Sequence, residues 1–233
     1  MQNTQTFWSA LEQRIAPFDL LQHPFYKAWT MGELTSADLR EYASEYWHHV
    51  SAFPTYLSAL HARLPDGQLR RTVLENLADE EGMDSAERRA HSDLWMDFAE
   101  GFGATRANVE SRALQPETAE VINTFRSLMQ SSQPAAALAA LYAYESRVPA
   151  IAKEKYSGLM EKYNADAKSA RYFKLHETAD VHHSNVWKQL MDQELAANPE
   201  ATEEALAAAE TAAKALWQTL DGIERRRTAA LAN

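Results

Sequence analysis

The sequence His176-Glu-Thr-Ala-Asp180-Val-His182-His183 lies within a long helical pattern that runs from about residue 165 to residue 195. At about 100° per residue, positions i, i+4 and i+7 of an α-helix fall within about 60° of one another. His176, Asp180 and His183 are therefore predicted to share one stripe. Such a stripe is typical either of a metal site or of a hydrated helix face, so the interpretation depends on partners from other segments.

The composition favours a single all-α domain. The 233 residues include seven glycines, eight prolines and no cysteine. Glycine and proline together fall well below their usual share of roughly 12%, which favours long helices with few turns. The absence of cysteine excludes disulfides, thiolate metal sites and cysteine nucleophiles, so any metal must bind through nitrogen and oxygen. We predict one domain over residues 1–233, folded as a compact bundle of seven to eight helices.

The charge and hydropathy patterns exclude several classes of partner. A formal net charge of −10 at pH 7 opposes binding to nucleic-acid phosphates. The basic run at residues 225–227 is explained as a solvated helix end. No segment approaches the ~18 uninterrupted apolar residues of a membrane span, and the N-terminal residues do not form a secretion signal. We therefore expect a cytoplasmic protein that binds neither nucleic acid nor membrane.

The helical runs follow one another with short breaks. Thr35 and Asp38 have the spacing of a capping box, with Asp in place of the usual Glu or Gln, and start a helix that ends near Leu64. Pro54 is expected to kink this helix, and Asn198 is expected to cap the last one. Further runs are predicted at residues 6–15, 68–102 with an interruption around Gly82, 117–129, 134–163, 165–195 and 199–227.

Two other regions offer ligands to the stripe. Glu145 lies in a mostly apolar and aromatic segment, where a carboxylate is unexpected unless it is paired. If residues 79–94 are mostly helical, Glu80 and His91 differ by only about 20° around the helix axis. Glu81 is the competing residue, about 80° away, and the glycine that follows it can exchange the two by distorting the helix.

These positions offer three carboxylates and three imidazoles. Two divalent cations carry +4 against −3, which leaves room for a bound oxygen species. Without a metal, so many polar groups would be costly to bury. Mixed histidine and carboxylate ligation suits iron or manganese, although ligand type alone also permits zinc. A ferritin-type site requires Glu-x-x-His on two helices, and only Glu45-Tyr-Trp-His48 has this spacing, so ferritin is disfavoured.

The remaining histidines and most tyrosines are interpreted as structural residues. The histidines are His23 at a helix start, His182 at the surface, and His48, His49 and His61 in or beside the core. The tyrosines that the sequence places near the site are Tyr172, one turn before His176, and Tyr144, next to Glu145.

Several segments resemble the chlamydial "protein associating with death domains" family, over about residues 20 to 195. They include His23-Pro-Phe-Tyr26-Lys-Ala-Trp29, Ala52-Phe-Pro-Thr-Tyr-Leu-Ser-Ala-Leu-His61, Asn76-Leu-Ala-Asp-Glu80-Glu81, Leu141-Tyr-Ala-Tyr-Glu145-Ser and His176-Glu-Thr-Ala-Asp180-Val-His182-His183. The resemblance implies a haem-oxygenase-like dimetal oxidase with about seven helices. Members of the family are implicated in making para-aminobenzoate for folate synthesis.

The resemblance also implies roles for individual residues. Tyr26 is expected to be consumed as the source of the aromatic ring, and Lys155 to supply the amino nitrogen, so that each chain reacts once. The expected partners are O₂ and an external reductant, with no external organic substrate and, as one option, a second copy of the chain in a homodimer. The ligands implied for a di-iron or mixed iron/manganese centre are Glu80, His91, Glu145, His176, Asp180 and His183.

One segment departs from the family. In the family the first glutamate precedes the ligand histidine by seven positions, whereas Glu80 precedes His91 by eleven. Four inserted residues add about one helical turn and preserve the face if the segment is helical. If it loops out, Glu81 or Asp84 is the alternative ligand.

Two other functions are consistent with parts of the sequence. One is a dimetal oxygenase or oxidase that turns over a diffusible small molecule many times. The other is a non-catalytic protein-interaction module, which leaves the carboxylate and histidine spacings unexplained. The number of products per chain separates the first from a self-consuming reaction, and metal analysis separates the second.

Overall fold

The computed structural model describes residues 2–83, 88–131 and 133–231. Most of these residues are helical and none forms a β-strand, which confirms the all-α prediction. Short 3₁₀ turns occupy Ala16–Phe18, Leu20–Gln22 and Pro199–Ala201. The α-helices are α1 (Gln2–Ile15), α2 (Pro24–Met31), α3 (Ser36–Arg63), α4 (Gln68–Glu80), α5 (His91–Gly101), α6 (Arg106–Glu110), α7 (Pro116–Met129), α8 (Pro134–Glu145), α9 (Val148–Glu161), α10 (Arg171–His176), α11 (Ala179–Ala197) and α12 (Thr202–Leu231).

Helix α8 lies at the centre of the bundle. Residues 135–141 are all buried, and they consist of alanine and leucine only. A helix that is apolar on every side is stable when neighbours cover all of it, and small side chains let those neighbours approach closely. Helices α7, α11 and α12 pack against α8. The last residue of this apolar helix is Glu145, so the fold carries a carboxylate into the interior.

Helix α3 forms a second organising element, against which α4, α5 and α7 pack. Its N-terminus has the predicted capping box. The Asp38 backbone N–H donates to Thr35 Oγ1 at 3.1 Å, and the Thr35 N–H donates to Asp38 Oδ2 at 2.7 Å. The helix continues through Pro54 to Arg63.

The predicted run at residues 68–102 is divided into two helices, and the interruption predicted around Gly82 is confirmed. Of the two alternatives for residues 79–94, the helical one does not hold, because residues 81–83 and 88–90 are not helical. Helix α4 ends at Glu80, and Gly82 follows with a φ of +72°. A Cβ atom at position 82 would lie 2.3 Å from the carbonyl of Arg89, so the chain folds back on itself here. His91 then begins α5.

Three other runs also differ from the prediction. The run at 134–163 is divided after Glu145, because Pro149 stands in the first turn of α9 and cannot continue the hydrogen bonding of α8. The run at 165–195 is divided between His176 and Ala179. The last run starts with a 3₁₀ turn, and the Asn198 side chain makes no cap hydrogen bond within the described residues, so the predicted cap is wrong.

No helix within the described ranges is both long enough and apolar enough to cross a lipid bilayer.

Candidate metal centre

Six buried side chains meet where five helices end or begin. Each of two groups contributes ligand atoms that all lie within 4.8 Å of one another. Helix termini supply these residues, because α4, α8 and α10 end here and α5 and α11 begin here. The first group is Glu80, His91 and His176, and the second is Glu145, Asp180 and His183.

The first group joins three helices. His91 Nδ1 lies 3.0 Å from Glu80 Oε2, and the His91 and His176 ring centroids are 4.6 Å apart. The His91 nitrogen is buried but forms no hydrogen bond with correct geometry to any described residue. A nitrogen and a carboxylate oxygen that are close without a hydrogen bond between them are arranged like two ligands of one cation.

The fold fixes the orientation of His176. Its Nδ1 lies 2.7 Å from the backbone oxygen of Tyr172, and since a carbonyl only accepts, Nδ1 carries the proton. The ring also stacks on Tyr172 at a centroid distance of 3.9 Å. This leaves Nε2 of His176 with its lone pair, the usual arrangement of a metal-binding histidine.

The second group surrounds Glu145. His183 Nδ1 lies 3.3 Å from Asp180 Oδ1 and 3.7 Å from Glu145 Oε2. Trp187 Nε1 donates to the same Glu145 oxygen at 2.7 Å. The other oxygen of Glu145, Oε1, is buried and accepts no hydrogen bond from the described part of the chain. An unpaired carboxylate oxygen is costly to bury, so this position fits a cation.

A seventh polar residue, Asp79, touches this group. Its Oδ2 atom lies 3.2 Å from His183 Nε2, on the side of the ring away from Nδ1. The Asp79 side chain is 33% exposed, so it reaches from solvent to the centre. The sequence analysis did not identify Asp79 as a functional residue, although it directly precedes Glu80 in the segment Asn76-Leu-Ala-Asp-Glu80-Glu81.

The electrostatics of the first group reflect competition between burial and pairing. Burial alone would raise the pKa of Glu80, but His91 and the other nearby imidazoles outweigh it and the pKa is lowered. Burial would lower the pKa of His91, but Glu80 outweighs it and the pKa is raised. For His176 burial prevails, and its pKa is lowered, so that this imidazole is neutral at neutral pH.

In the second group, burial determines the direction of the Glu145 pKa, and the neighbouring carboxylates determine that of the His183 pKa. Burial raises the pKa of Glu145. Burial would lower the pKa of His183, but the neighbouring carboxylates of Asp180 and Asp79 raise it to about 11. In the absence of a metal, protons therefore balance the buried carboxylates, and a bound cation would replace them.

The donor set fits a pair of divalent metal ions of the iron or manganese type. It contains imidazole nitrogens and carboxylate oxygens but no sulfur, and its two groups share one interior location. Unpaired atoms at Glu145 and His91 point to the same conclusion. The structure brings Glu80 to His91, whereas Glu81 is exposed at the end of α4. Asp84, the other alternative ligand, lies outside the described residues.

Tyr26 and Lys155 contact each other away from the six ligands. Lys155 has 0% exposure, and its Nζ atom lies 4.0 Å from the centroid of the Tyr26 ring. The same atom donates to the Tyr26 carbonyl oxygen at 3.4 Å. Burial lowers the pKa of Lys155 to about 7. Burial raises the pKa of Tyr26, whose hydroxyl is hydrogen-bonded to that of Tyr42 at 2.7 Å.

Aromatic rings link this pair to the metal centre. Tyr172, which stacks on His176, contacts Trp95 at a centroid distance of 4.8 Å, and Trp95 contacts Tyr42 at 5.7 Å. A cavity of about 30 Å³ lies beside the rings and is lined by Tyr26, Tyr42 and Tyr172 among others. It is large enough for a water-sized molecule and too small for an aromatic one.

The other histidines lie where the sequence indicated. His182 is exposed, and His23 caps α2 by accepting a hydrogen bond from the Phe25 N–H at 3.1 Å. His49 is fully buried among aromatic rings, and burial lowers its pKa to about 3. His48 and His61 are partly buried on α3. None of these five belongs to either ligand group among the described residues.

Comparison with known proteins agrees with this geometry. A family model described as an iron-containing redox enzyme matches residues 40–217. The chain is 41% identical over 238 residues to a protein of Nitrosomonas europaea named 4-aminobenzoate synthase, covering 98% of this chain and 95% of that protein. It is 38% identical over 187 residues to a protein of Chlamydia pneumoniae with the same name, covering 80% and 82% of the two chains. The resemblance to the chlamydial family is thus confirmed.

A solved structure shows the same fold. A domain from Shewanella denitrificans, described as having a heme oxygenase-like fold, superposes with a TM-score of 0.80 at 19% identity. The match covers 95% of this chain and 93% of that one. The haem-oxygenase-like bundle expected from the resemblance is confirmed.

Proposed function

Because the chain belongs to the haem-oxygenase-like family of iron-containing redox enzymes, we propose that it makes 4-aminobenzoate from its own residues at a dinuclear metal centre. One observation carries the proposal. The Lys155 amine lies against the Tyr26 ring in the protein interior, 4.0 Å from its centroid. Relatives that align with most of the chain, at 41% and 38% identity, are named for this product, and the product contains one aromatic ring and one amine.

The six clustered side chains hold two metal ions in this proposal, either two irons or one iron and one manganese. When bound, the metals supply one-electron oxidation chemistry, with O₂ as oxidant and an external reductant as electron source. The aromatic contacts through Tyr172, Trp95 and Tyr42 connect the centre to Tyr26. Tyr26 contacts none of the six ligands among the described residues, so these rings would be the route by which oxidising equivalents reach it.

The atoms of the product are all accounted for. The ring and Cβ of Tyr26 together supply the seven carbons of 4-aminobenzoate. O₂ and the reductant first hydroxylate Cβ, and the bond between Cα and Cβ then breaks: Cα takes up a proton, which leaves glycine at position 26, and Cβ leaves as an aldehyde that O₂ oxidises to the carboxylate. At the ring carbon that bears the hydroxyl, the Lys155 nitrogen forms a bond and the oxygen leaves as water. The oxidised ring then takes two electrons from the Cε–N unit, and hydrolysis releases the nitrogen with the ring and leaves Cε of Lys155 as an aldehyde, so each chain reacts once.

The protein environment prepares both residues. An amine is a nucleophile only when it is unprotonated, and burial brings the pKa of Lys155 to about 7. The Tyr42 hydroxyl, 2.7 Å away, is hydrogen-bonded to the Tyr26 hydroxyl and holds it in place while that ring is oxidised. Burial of all three side chains keeps bulk water away from the activated ring, where water would compete with the amine.

The cavity beside Tyr26 leaves no room there for a diffusible aromatic substrate. The space next to Tyr26 measures about 30 Å³, which admits a small molecule such as O₂ and not a second aromatic ring. A second ring could occupy this position only after a rearrangement of the surrounding rings.

The proposal is tested by incubating purified protein with iron, a reductant and O₂ in the absence of any organic substrate. We expect release of 4-aminobenzoate with a yield below one molecule per chain, measured by liquid chromatography and mass spectrometry. Many products per chain would favour the diffusible-substrate oxidase. A protein that binds neither iron nor manganese after reconstitution would favour the interaction module.

A further inference from the structure

A polar cleft of about 610 Å³ lies between α4 and α11 and leads to the metal centre. On α4 it is lined by Thr72, Asn76 and Asp79, which follow one stripe at positions i, i+4 and i+7. On α11 it is lined by His183 and Trp187, the residues that contact Glu145. The cleft therefore connects solvent to the second ligand group.

Asn76 indicates that the cleft receives a polar occupant. The residue is only 4% exposed and lines the cleft, yet neither its amide nitrogen nor its amide oxygen has a hydrogen-bond partner among the described residues. Burying an unpaired amide costs free energy that folding must offset. An occupant that pairs with this side chain removes the cost.

The charge of the cleft selects a cation. Glu75 and Asp79 line it, and no lysine or arginine does so within the described residues. The chain as a whole carries a formal charge of −10. The two carboxylates outweigh the positive charge of His183, which also lines the cleft, and a concave surface with net negative charge concentrates cations.

His183 separates the cleft from the centre. Its Nε2 atom faces Asp79 at 3.2 Å, while Nδ1 faces Asp180 at 3.3 Å. A cation bound by Asp79 therefore lies on the opposite side of the His183 ring from Asp180 and Glu145, the other two members of the second ligand group. Asp79 is also partly exposed, so it is accessible from the cleft before His183 is reached.

We propose that this cleft is the route by which divalent metal ions enter and leave the centre. Asp79 is the transfer ligand at its inner end, and the Asn76 amide oxygen binds the ion on the way in. The proposal concerns metal exchange alone, so it holds or fails independently of which product the loaded protein makes.

The test compares Asp79→Asn with the wild type, using iron(II) alone under anaerobic conditions. A transfer ligand accelerates movement in both directions, so its loss slows loading and extraction by the same factor and leaves the affinity unchanged. We expect both rates to fall about tenfold, the lower end of electrostatic acceleration. Loading is followed by protein fluorescence, since Trp187 contacts Glu145, and extraction by the absorbance of a coloured iron(II) chelator.

Two further variants keep the test decisive. Glu100→Gln removes one negative charge from an exposed position on α5 outside the cleft and should leave both rates unchanged. Asp79→Glu keeps the carboxylate and should restore most of the lost rate. Unaltered rates in Asp79→Asn would overturn the proposal. Faster extraction with weaker binding would overturn it too, because Asp79 would then only hold His183 in place. Circular dichroism establishes that each variant is folded.

Discussion

The reactivity proposed for Lys155 depends on the burial of its amine. The residue lies in α9, where the sequence pattern predicts an ordinary solvated lysine, and nothing local marks it as unusual. The helix packs against α2, and this contact buries the amine between the rings of Tyr26 and Trp29. Its position in the interior is a tertiary property, so only the resemblance to the family indicated it from the sequence.

Product formation should depend on pH through this amine. The pKa of Lys155 is lowered to about 7, so the amine is protonated below that pH and free above it. We predict that the initial rate of 4-aminobenzoate release rises between pH 6 and pH 8 in iron-loaded protein, with a midpoint near 7. Lys153→Met changes an exposed neighbour and should keep this profile. A rate independent of pH over this range would contradict the role of the free amine.

The same burial predicts an effect on stability. The pKa of Lys155 is about 7 in the folded chain and 10.5 in the unfolded chain, so between these values the unfolded chain binds the extra proton. The free energy of unfolding should therefore rise with pH in this window, by up to about 1.4 kcal/mol per pH unit from this group. Denaturant titrations of wild type and Lys155→Met should differ by this slope. Parallel curves would show that the amine is not buried.

Tyr26 should be required for formation of 4-aminobenzoate but not for binding of the metal ions. Tyr26→Phe removes the hydroxyl through which the ring is oxidised, and the residue contacts none of the six ligands in the described contacts. We predict at least a hundredfold loss of 4-aminobenzoate with two irons still bound, measured by mass spectrometry and metal analysis, about the scale of losing an essential reacting group. Tyr142→Phe, on α8 beside Glu12, should retain activity. Full activity of Tyr26→Phe would identify another ring source.

At the scale of elements, the turn after α4 determines whether the first ligand group forms. Gly82 has a φ of +72°, and a Cβ there would collide with the Arg89 backbone at 2.3 Å. We predict that Gly82→Ala lowers the free energy of unfolding by about 1–3 kcal/mol and reduces bound iron, because the shifted loop moves His91 from Glu80.

Gly103→Ala is the matched control for this prediction. Gly103 also has a positive φ, +89°, but a Cβ there would meet only an Arg40 side-chain atom at 3.9 Å. The control should show a smaller loss of stability and full iron content, by thermal melts and metal analysis. Equal iron content in both variants would show that the turn does not position His91.

Some helix boundaries were predictable because their signals are local. The capping box of Thr35 and Asp38 requires only two residues at a fixed spacing, and it starts α3 as predicted. The break between His176 and Ala179 has no such signal, because neither glycine nor proline stands there. Thr178 leaves the helical region with a φ of −124°. This break places His176 and Asp180 on different helices, so the single stripe predicted from the sequence is two helix ends.

At the scale of the molecule, the metals should stabilise the bundle, because the ligands come from separate helices. We predict that iron(II) raises the melting temperature of the wild type.

His176→Ala removes one ligand of the first group and should reduce bound iron from about two to about one per chain. His182→Ala alters an exposed neighbour and should bind two. Equal iron content in the two variants would exclude His176 as a ligand.

The candidate site was predictable in its residues and not in its geometry. Residue types and spacing pointed to Glu145 and the His176 stripe, and the structure brings them together with Glu80. Asp79 was missed, because its contact with His183 depends on how α4 packs near α11. The proximity of Tyr26 to Lys155 likewise depends on packing between helices that are far apart in the sequence.

The central claim is that the protein supplies the ring of its own product. The most direct measurement uses protein prepared with ring-¹³C₆-tyrosine, loaded with iron and exposed to O₂ and reductant in buffer that contains excess unlabelled tyrosine. We predict that the released 4-aminobenzoate is heavier by six mass units and that the peptide containing Tyr26 is altered in the spent protein. Unlabelled 4-aminobenzoate, with Tyr26 intact, would contradict the account.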